Sequence, residues 1–83
     1  MNSVPQPLTS LALGETAVVA EVRLPAPGGA RLMELGLTAG TPVEMVRFAP
    51  LGDPVEIRLR GYNLTLRRHE AAQVLVCLPT AER

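Results

Sequence analysis

The amino-acid sequence predicts an all-β fold, a small SH3-like barrel of about five antiparallel strands with one short helix. Three observations lead there. The chain has 83 residues, short of the ~100–200 typical of a domain, so it holds one domain with a thin core. Short apolar runs with a two-residue period recur between turns rich in proline and glycine. Only one stretch reads as helix, and two turns of helix cannot cover the apolar face of an open sheet. Closure into a barrel buries that face and removes the edges. An oligonucleotide-binding barrel is the second architecture that fits this pattern.

Residues 1–10, with two prolines and several small polar side chains, read as a flexible lead-in. The barrel domain is expected over residues 11–77, and a tail over 78–83. The first strand is expected at 16–22, with Val18, Ala20 and Val22 on one face and Val19 and Glu21 on the other. A loop follows, with two prolines and two glycines within 24–29. Residues 30–35 then read as a short helix lying on the sheet through Leu32 and Leu35. Gly36 stands where a helix ends in a left-handed residue, which places Leu32 and Leu37 at the touching positions of a Schellman motif.

The second strand, 42–48, has apolar residues on both faces: Val43 and Met45 on one, Val46 and Phe48 on the other. A strongly curved strand or a bulge would reconcile them. Residues 49–54 form a rigid turn. The strand at 55–60 alternates cleanly, with Val55, Ile57 and Leu59 inward and Glu56, Arg58 and Arg60 outward. A turn at Gly61-Tyr62 would set Leu59 against Leu64, Ile57 against Leu66, Arg58 against Thr65 and Glu56 against Arg67. A one-turn link at 69–72 leads to a last strand at 73–77.

Composition argues against several functions. The charge balances, with eight arginines, no lysine and eight acidic residues, so the excess of positive charge expected of a nucleic-acid domain is missing. Aromatic stacking platforms are missing too, since Tyr62 and Phe48 are the only aromatic residues. No phosphate-binding glycine loop with its lysine is present. The single cysteine, Cys77, excludes an intrachain disulfide. The one histidine, His69, has no partner ligands at metal-binding spacing, and no nucleophile, base and orienting acid can be assembled. No apolar run approaches the ~18 residues of a membrane span, and residues 1–7 do not resemble a secretory signal. Thus no catalytic residue, metal ligand or cofactor site is expected, and the chain reads as cytoplasmic.

Three segments carry a family resemblance. They are Arg31-Leu-Met-Glu-Leu-Gly-Leu37 with Gly40, then Ala49-Pro-Leu-Gly-Asp-Pro54, then Gly61 with Leu66-Arg-Arg-His-Glu-Ala71. In this order and at these separations they resemble the FeoA-type domain of bacterial ferrous-iron transport systems. One position departs: Ala39 precedes Gly40 where the family usually has proline, which would cost a stiffened turn ~0.4–1 kcal/mol.

The resemblance implies an SH3-like barrel acting as an accessory protein. Its partner would be the membrane ferrous-iron permease, which carries a cytoplasmic GTP-binding domain. The role is then interaction, without nucleic acid, membrane insertion or catalysis, in a monomer or weak homo-oligomer. The alternative is a metal-responsive regulatory or nucleic-acid-associated module, because a related domain occurs in metal-dependent repressors. Candidate partner-binding residues are Arg31, Leu35, Leu37, Leu51, Asp53 and Arg67, on the helix, the 49–54 turn and the start of the last motif. Loops on a rigid scaffold commonly carry binding residues, and Leu51 is expected either at the loop tip, as a candidate apolar anchor, or folded back onto the core.

Overall fold

The computed structural model describes residues 4–79. Six antiparallel strands form one sheet: β1 (Gln6–Pro7), β2 (Thr16–Val22), β3 (Pro42–Phe48), β4 (Val55–Leu59), β5 (Tyr62–Leu66) and β6 (Val74–Cys77). Two short helices are added, α1 (Gly28–Glu34) and α2 (Arg68–Ala71), and a single 3-10 turn covers Leu8–Ser10. The strand order is β1-β6-β2-β3-β4-β5. Three strands separate β6 from β5 in that order, yet Val74 and Val76 share one buried cluster with Ile57, Leu59 and Leu66. The sheet therefore curls around a single aliphatic core. Full closure was expected, but β1 and β5 remain as two edges.

Residues 6–10 belong to the fold and not to a lead-in. β1 pairs with β6, and the 3-10 turn drives Leu8 into the core, where it is 0% exposed. Burying one leucine contributes about 1.5–3 kcal/mol, enough to hold a two-residue strand in place. The first three residues of the expected lead-in, and 80–83 of the expected tail, lie outside the described residues. Leu78, also assigned to the tail, packs partly buried against the core.

In β2 the inner face is Ala17 and Val19, so the expected grouping of Val18, Ala20 and Val22 on a single face does not hold. A bulge between Val19 and Glu21 explains the misreading. One extra residue flips the phase of the strand, so Val22 rejoins the core side beyond it. In β3 a bulge is present between Met45 and Arg47. Val43 and Met45 are buried before it, and Phe48 packs against the core after it.

The β4–β5 hairpin differs from expectation by two residues. Leu59 pairs with Tyr62, Arg58 with Asn63, Ile57 with Leu64, Glu56 with Thr65 and Val55 with Leu66. The turn residues are Arg60 (φ 51°) and Gly61 (φ 83°), both left-handed as a type I′ turn requires. A glycine-first turn at Gly61-Tyr62 needed only one left-handed residue, and arginine is a poor candidate for the other. A shift of two preserves the faces, so Ile57, Leu59 and Leu66 still point inward and Leu64 packs partly buried against the core.

Helix α1 begins two residues earlier than expected, with Gly28 and Gly29 as its first residues. A Cβ on Gly29 would lie 2.0 Å from the carbonyl oxygen of Leu24, so glycine lets the helix approach the preceding loop. Its end follows the Schellman pattern. The Leu37 N–H donates to the Leu32 carbonyl at 3.1 Å and the Gly36 N–H to Met33 at 3.0 Å, with Gly36 at φ 111°. Leu32 and Leu37 are both buried, as the hydrophobic contact of that motif requires.

Candidate functional site

Hydrogen bonds connect α1, α2 and the 49–54 loop into one continuous surface. From α1, Arg31 Nη2 donates to Glu70 Oε2 of α2 at 2.9 Å. The other oxygen of Glu70 accepts the Arg67 backbone N–H at 3.0 Å. That bond satisfies one of the amides left over at the start of α2. The next amide, Arg68 N–H, donates to Asp53 Oδ1 at 2.9 Å, and Arg68 Nη1 donates to the Gly52 carbonyl at 3.2 Å. Asp53 and Arg68 thus clasp the loop to α2, with a carboxylate at the helix N-terminus where the backbone dipoles favour it.

The loop closes on itself before it meets α2. The Ala49 N–H donates to the Pro54 carbonyl at 3.0 Å and the Gly52 N–H to the Ala49 carbonyl at 2.7 Å. Two prolines stiffen it further. This frame presents Leu51 almost entirely to solvent, at 95% exposure. Among the described residues no other large apolar side chain is as exposed. An apolar side chain on a braced tip loses little freedom when it binds, and such preorganisation favours docking.

The six candidate residues divide accordingly. Leu51 is exposed. Arg31, Asp53 and Arg67 lie on the surface around the α1–α2–loop chain, the first two engaged in holding it together. Leu35 is half-buried at the end of α1, and its carbonyl accepts the Tyr62 hydroxyl, tying α1 to β5. Leu37 is fully buried and leaves the set. Its place in the Schellman motif already marked it as a core contact. Arg68 and Tyr62 belong to the site architecture but were not among the candidates. Their partners lie 16 and 27 residues away in sequence, and no local pattern encodes such pairings.

Neighbouring strands pair four further charges. Arg47 meets Glu56 at 3.5 Å, and Arg58 meets Glu44 at 3.7 Å. Glu56, expected opposite Arg67, instead accepts from Asn63 at 2.8 Å as well as meeting Arg47. No group of three His, Cys, Asp or Glu side chains gathers among the described residues. His69 is exposed on α2. A shallow cleft of about 270 Å³ lies between the start of β3 and the β4–β5 turn, lined by Pro42, Val43, Glu44, Arg58, Leu59 and Arg60 among others. No helix among the described residues is long and apolar enough to cross a membrane.

The model of the FeoA domain matches residues 6–77, from the first residue of β1 to the last of β6. The chain belongs to the FeoA domain family. It is 38% identical over 69 residues to an Fe(2+) transport protein A/Fe(2+) transporter FeoB fusion protein of Porphyromonas gingivalis. Those residues are 83% of this chain and 8% of the fusion protein.

Two solved structures are similar along most of the chain. The solution structure of FeoA from Chlorobium tepidum superposes with a TM-score of 0.87 at 38% identity, covering 94% of this chain and 74% of that one. The crystal structure of Stenotrophomonas maltophilia FeoA complexed with zinc, described as a procaryotic SH3 domain protein, gives a TM-score of 0.76 at 36% identity, covering 86% and 88%. The SH3-like architecture expected of the sequence is thus found in the family.

Proposed function

We propose that this FeoA domain is a cytoplasmic accessory module of ferrous-iron uptake that docks on the membrane permease and modulates it. The observation that carries this reading is the Porphyromonas gingivalis relative, in which a segment like this chain and a FeoB transporter are one polypeptide. Fusion holds two partners at high effective concentration, and a stand-alone module must supply the same proximity by binding. The docking surface in this proposal is the α1–α2–loop face, with Leu51 as the apolar anchor and Arg31, Asp53 and Arg67 around it. A central apolar anchor with a polar rim is the usual anatomy of a protein interface.

The module contributes no catalytic group of its own in this reading. GTP turnover belongs to the permease, and the small domain acts through binding. Co-purification with the permease tests the proposal, comparing the natural chain with Leu51→Asp and Arg31→Ala. The natural chain is expected to be retained and Leu51→Asp, still folded by circular dichroism, to be lost. Arg31→Ala should weaken retention less, because Arg31 also braces α1. Equal retention of both folded variants would contradict the surface. Failure of the natural chain to bind where iron uptake depends on it would contradict docking.

A further inference from the structure

The two edges of the sheet are treated differently. β1 is two residues long and ends in Pro7, a short edge capped by a residue with no N–H to offer, as protected edges often are. β5 runs five residues, Tyr62–Leu66, pairs with β4 without a register shift and holds no proline and no charge. Leu59 and Tyr62 close a two-residue hairpin, so they exchange both backbone bonds, as do Ile57 with Leu64 and Val55 with Leu66 two residues on. By the same alternation, Asn63 and Thr65 turn their N–H and C=O groups away from β4, toward the open side.

The charge around this edge is one-sided. From Ile57 to His69 the sequence holds four arginines and no carboxylate, in a chain of zero net charge. Arg67 stands at one end of β5 and has no ion pair among the described residues, and Arg60 stands at the other, its Nη2 donating to Thr41 Oγ1 at 3.2 Å. Of the acids bounding this stretch, Glu70 pairs with Arg31, and Glu56 meets Arg47 while accepting from Asn63 on β5 at 2.8 Å. The side chains of β5 alternate, with Asn63 and Thr65 exposed and Leu64 and Leu66 facing the core.

We propose that the open edge of β5 binds an extended acidic segment of a partner protein by strand addition, with acidic side chains beside the outer face and apolar ones beside Leu64. The backbone bonds come from Asn63 and Thr65, and the arginines at the two ends select negative charge. A second copy of this chain is disfavoured as the occupant, because it would bring the same arginine-rich, acid-free stretch against itself. This edge is separate from Leu51 and its loop, and its test needs no permease.

The probe is a blocked peptide of alternating Glu and Val, titrated into the isotopically labelled full chain and followed by amide NMR and hydrogen exchange. Saturation should shift the Asn63 and Thr65 amides and slow the exchange of both. A Lys-for-Glu peptide, and a Glu/Val peptide N-methylated at alternate residues, should each bind at least about tenfold more weakly. Arg60→Asn with Arg67→Gln should also weaken the Glu/Val peptide about tenfold, and asparagine retains the left-handed turn. Thr65→Pro removes one outward N–H without breaking a bond to β4 and should have a similar effect. Equal binding of the Lys or N-methylated peptide would overturn the proposal. So would shifts confined to other residues, or absent. Protection of the same amides by protein concentration alone would assign the edge to a second copy and overturn it as well.

Discussion

Arg31 and Glu70, 39 residues apart in sequence, meet at 2.9 Å and join α1 to α2. The two sides are unequal. The Arg31 side chain is 53% exposed, whereas that of Glu70 is 14% exposed and also caps α2 through the Arg67 amide. Removing Arg31 should therefore cost little, within the ~0–1 kcal/mol of an exposed pair. Glu70→Ala should cost more, about 1–2 kcal/mol, because a cap is lost with the pair. Glu70→Gln keeps an acceptor for the Arg67 amide and should fall between them. Urea denaturation of the three variants measures the order.

The Asp53–Arg68 clasp makes a second prediction. Asp53→Ala should destabilise the fold by ~0.5–2 kcal/mol, the range for a lost helix cap. It should also raise amide exchange through 49–54, since the loop then relies on its internal bonds and Arg68 Nη1. Asp53→Asn retains an oxygen acceptor and should restore most of both effects. Chemical denaturation and hydrogen exchange on the same pair of variants check this.

Gly28 and Gly29 are neighbours with opposite expectations. A Cβ on Gly28 would meet the Leu24 side chain at 2.8 Å, and that flexible tip can move aside. A Cβ on Gly29 would lie 2.0 Å from the Leu24 carbonyl oxygen, which is backbone. Gly28→Ala should change stability by less than ~1 kcal/mol, helped by the helix preference for alanine. Gly29→Ala should lose ~1–3 kcal/mol or more through overpacking. Thermal unfolding of the two proteins decides it.

These contrasts show what was legible in the sequence. The Schellman end at Gly36 was, because glycine, Leu32 and Leu37 encode it within six residues of chain. The mixed faces of β3 were legible too, since apolar residues on both sides of one strand call for a bulge or strong curvature, and the structure has the bulge. The bulge in β2 was not, because Ala17 and Ala20 are small enough to suit either face. The hairpin missed by two residues because an arginine takes a left-handed turn position that composition does not announce. Residues 6–10 look polar and proline-rich, and only the pairing of β1 with β6 shows why Leu8 is buried. At the candidate site, the sequence left Leu51 either at the loop tip or folded back onto the core, and the structure exposes it. The clasp by Arg68 was not legible, because it joins segments 16 residues apart.

Core and tip leucines should separate cleanly. Leu59 is 1% exposed and Leu51 is 95% exposed. Leu59→Ala should cost ~2–5 kcal/mol, and Leu51→Ala should stay within ~0.5 kcal/mol. A loss under ~1 kcal/mol at Leu59 would be incompatible with the packing described for β4.

Zinc or ferrous iron should find no stoichiometric site on the isolated monomer. Metal ions of this kind need several converging ligands, and no three gather among the described residues. Calorimetry should show binding no tighter than roughly millimolar. A stoichiometric micromolar site abolished by His69→Ala would contradict this.

The most direct test of docking through the α1–α2–loop face is photocrosslinking in cells that express the permease. A photoreactive residue is placed at position 51 in one protein and at position 13 in another. Leu13 is also exposed, at 61%, but lies outside the Arg31–Glu70–Arg68–Asp53 chain. Docking through this face predicts a crosslink to the permease from position 51, lost when the permease gene is deleted and much weaker from position 13. No permease crosslink from 51, or an equal yield from both positions, would contradict it.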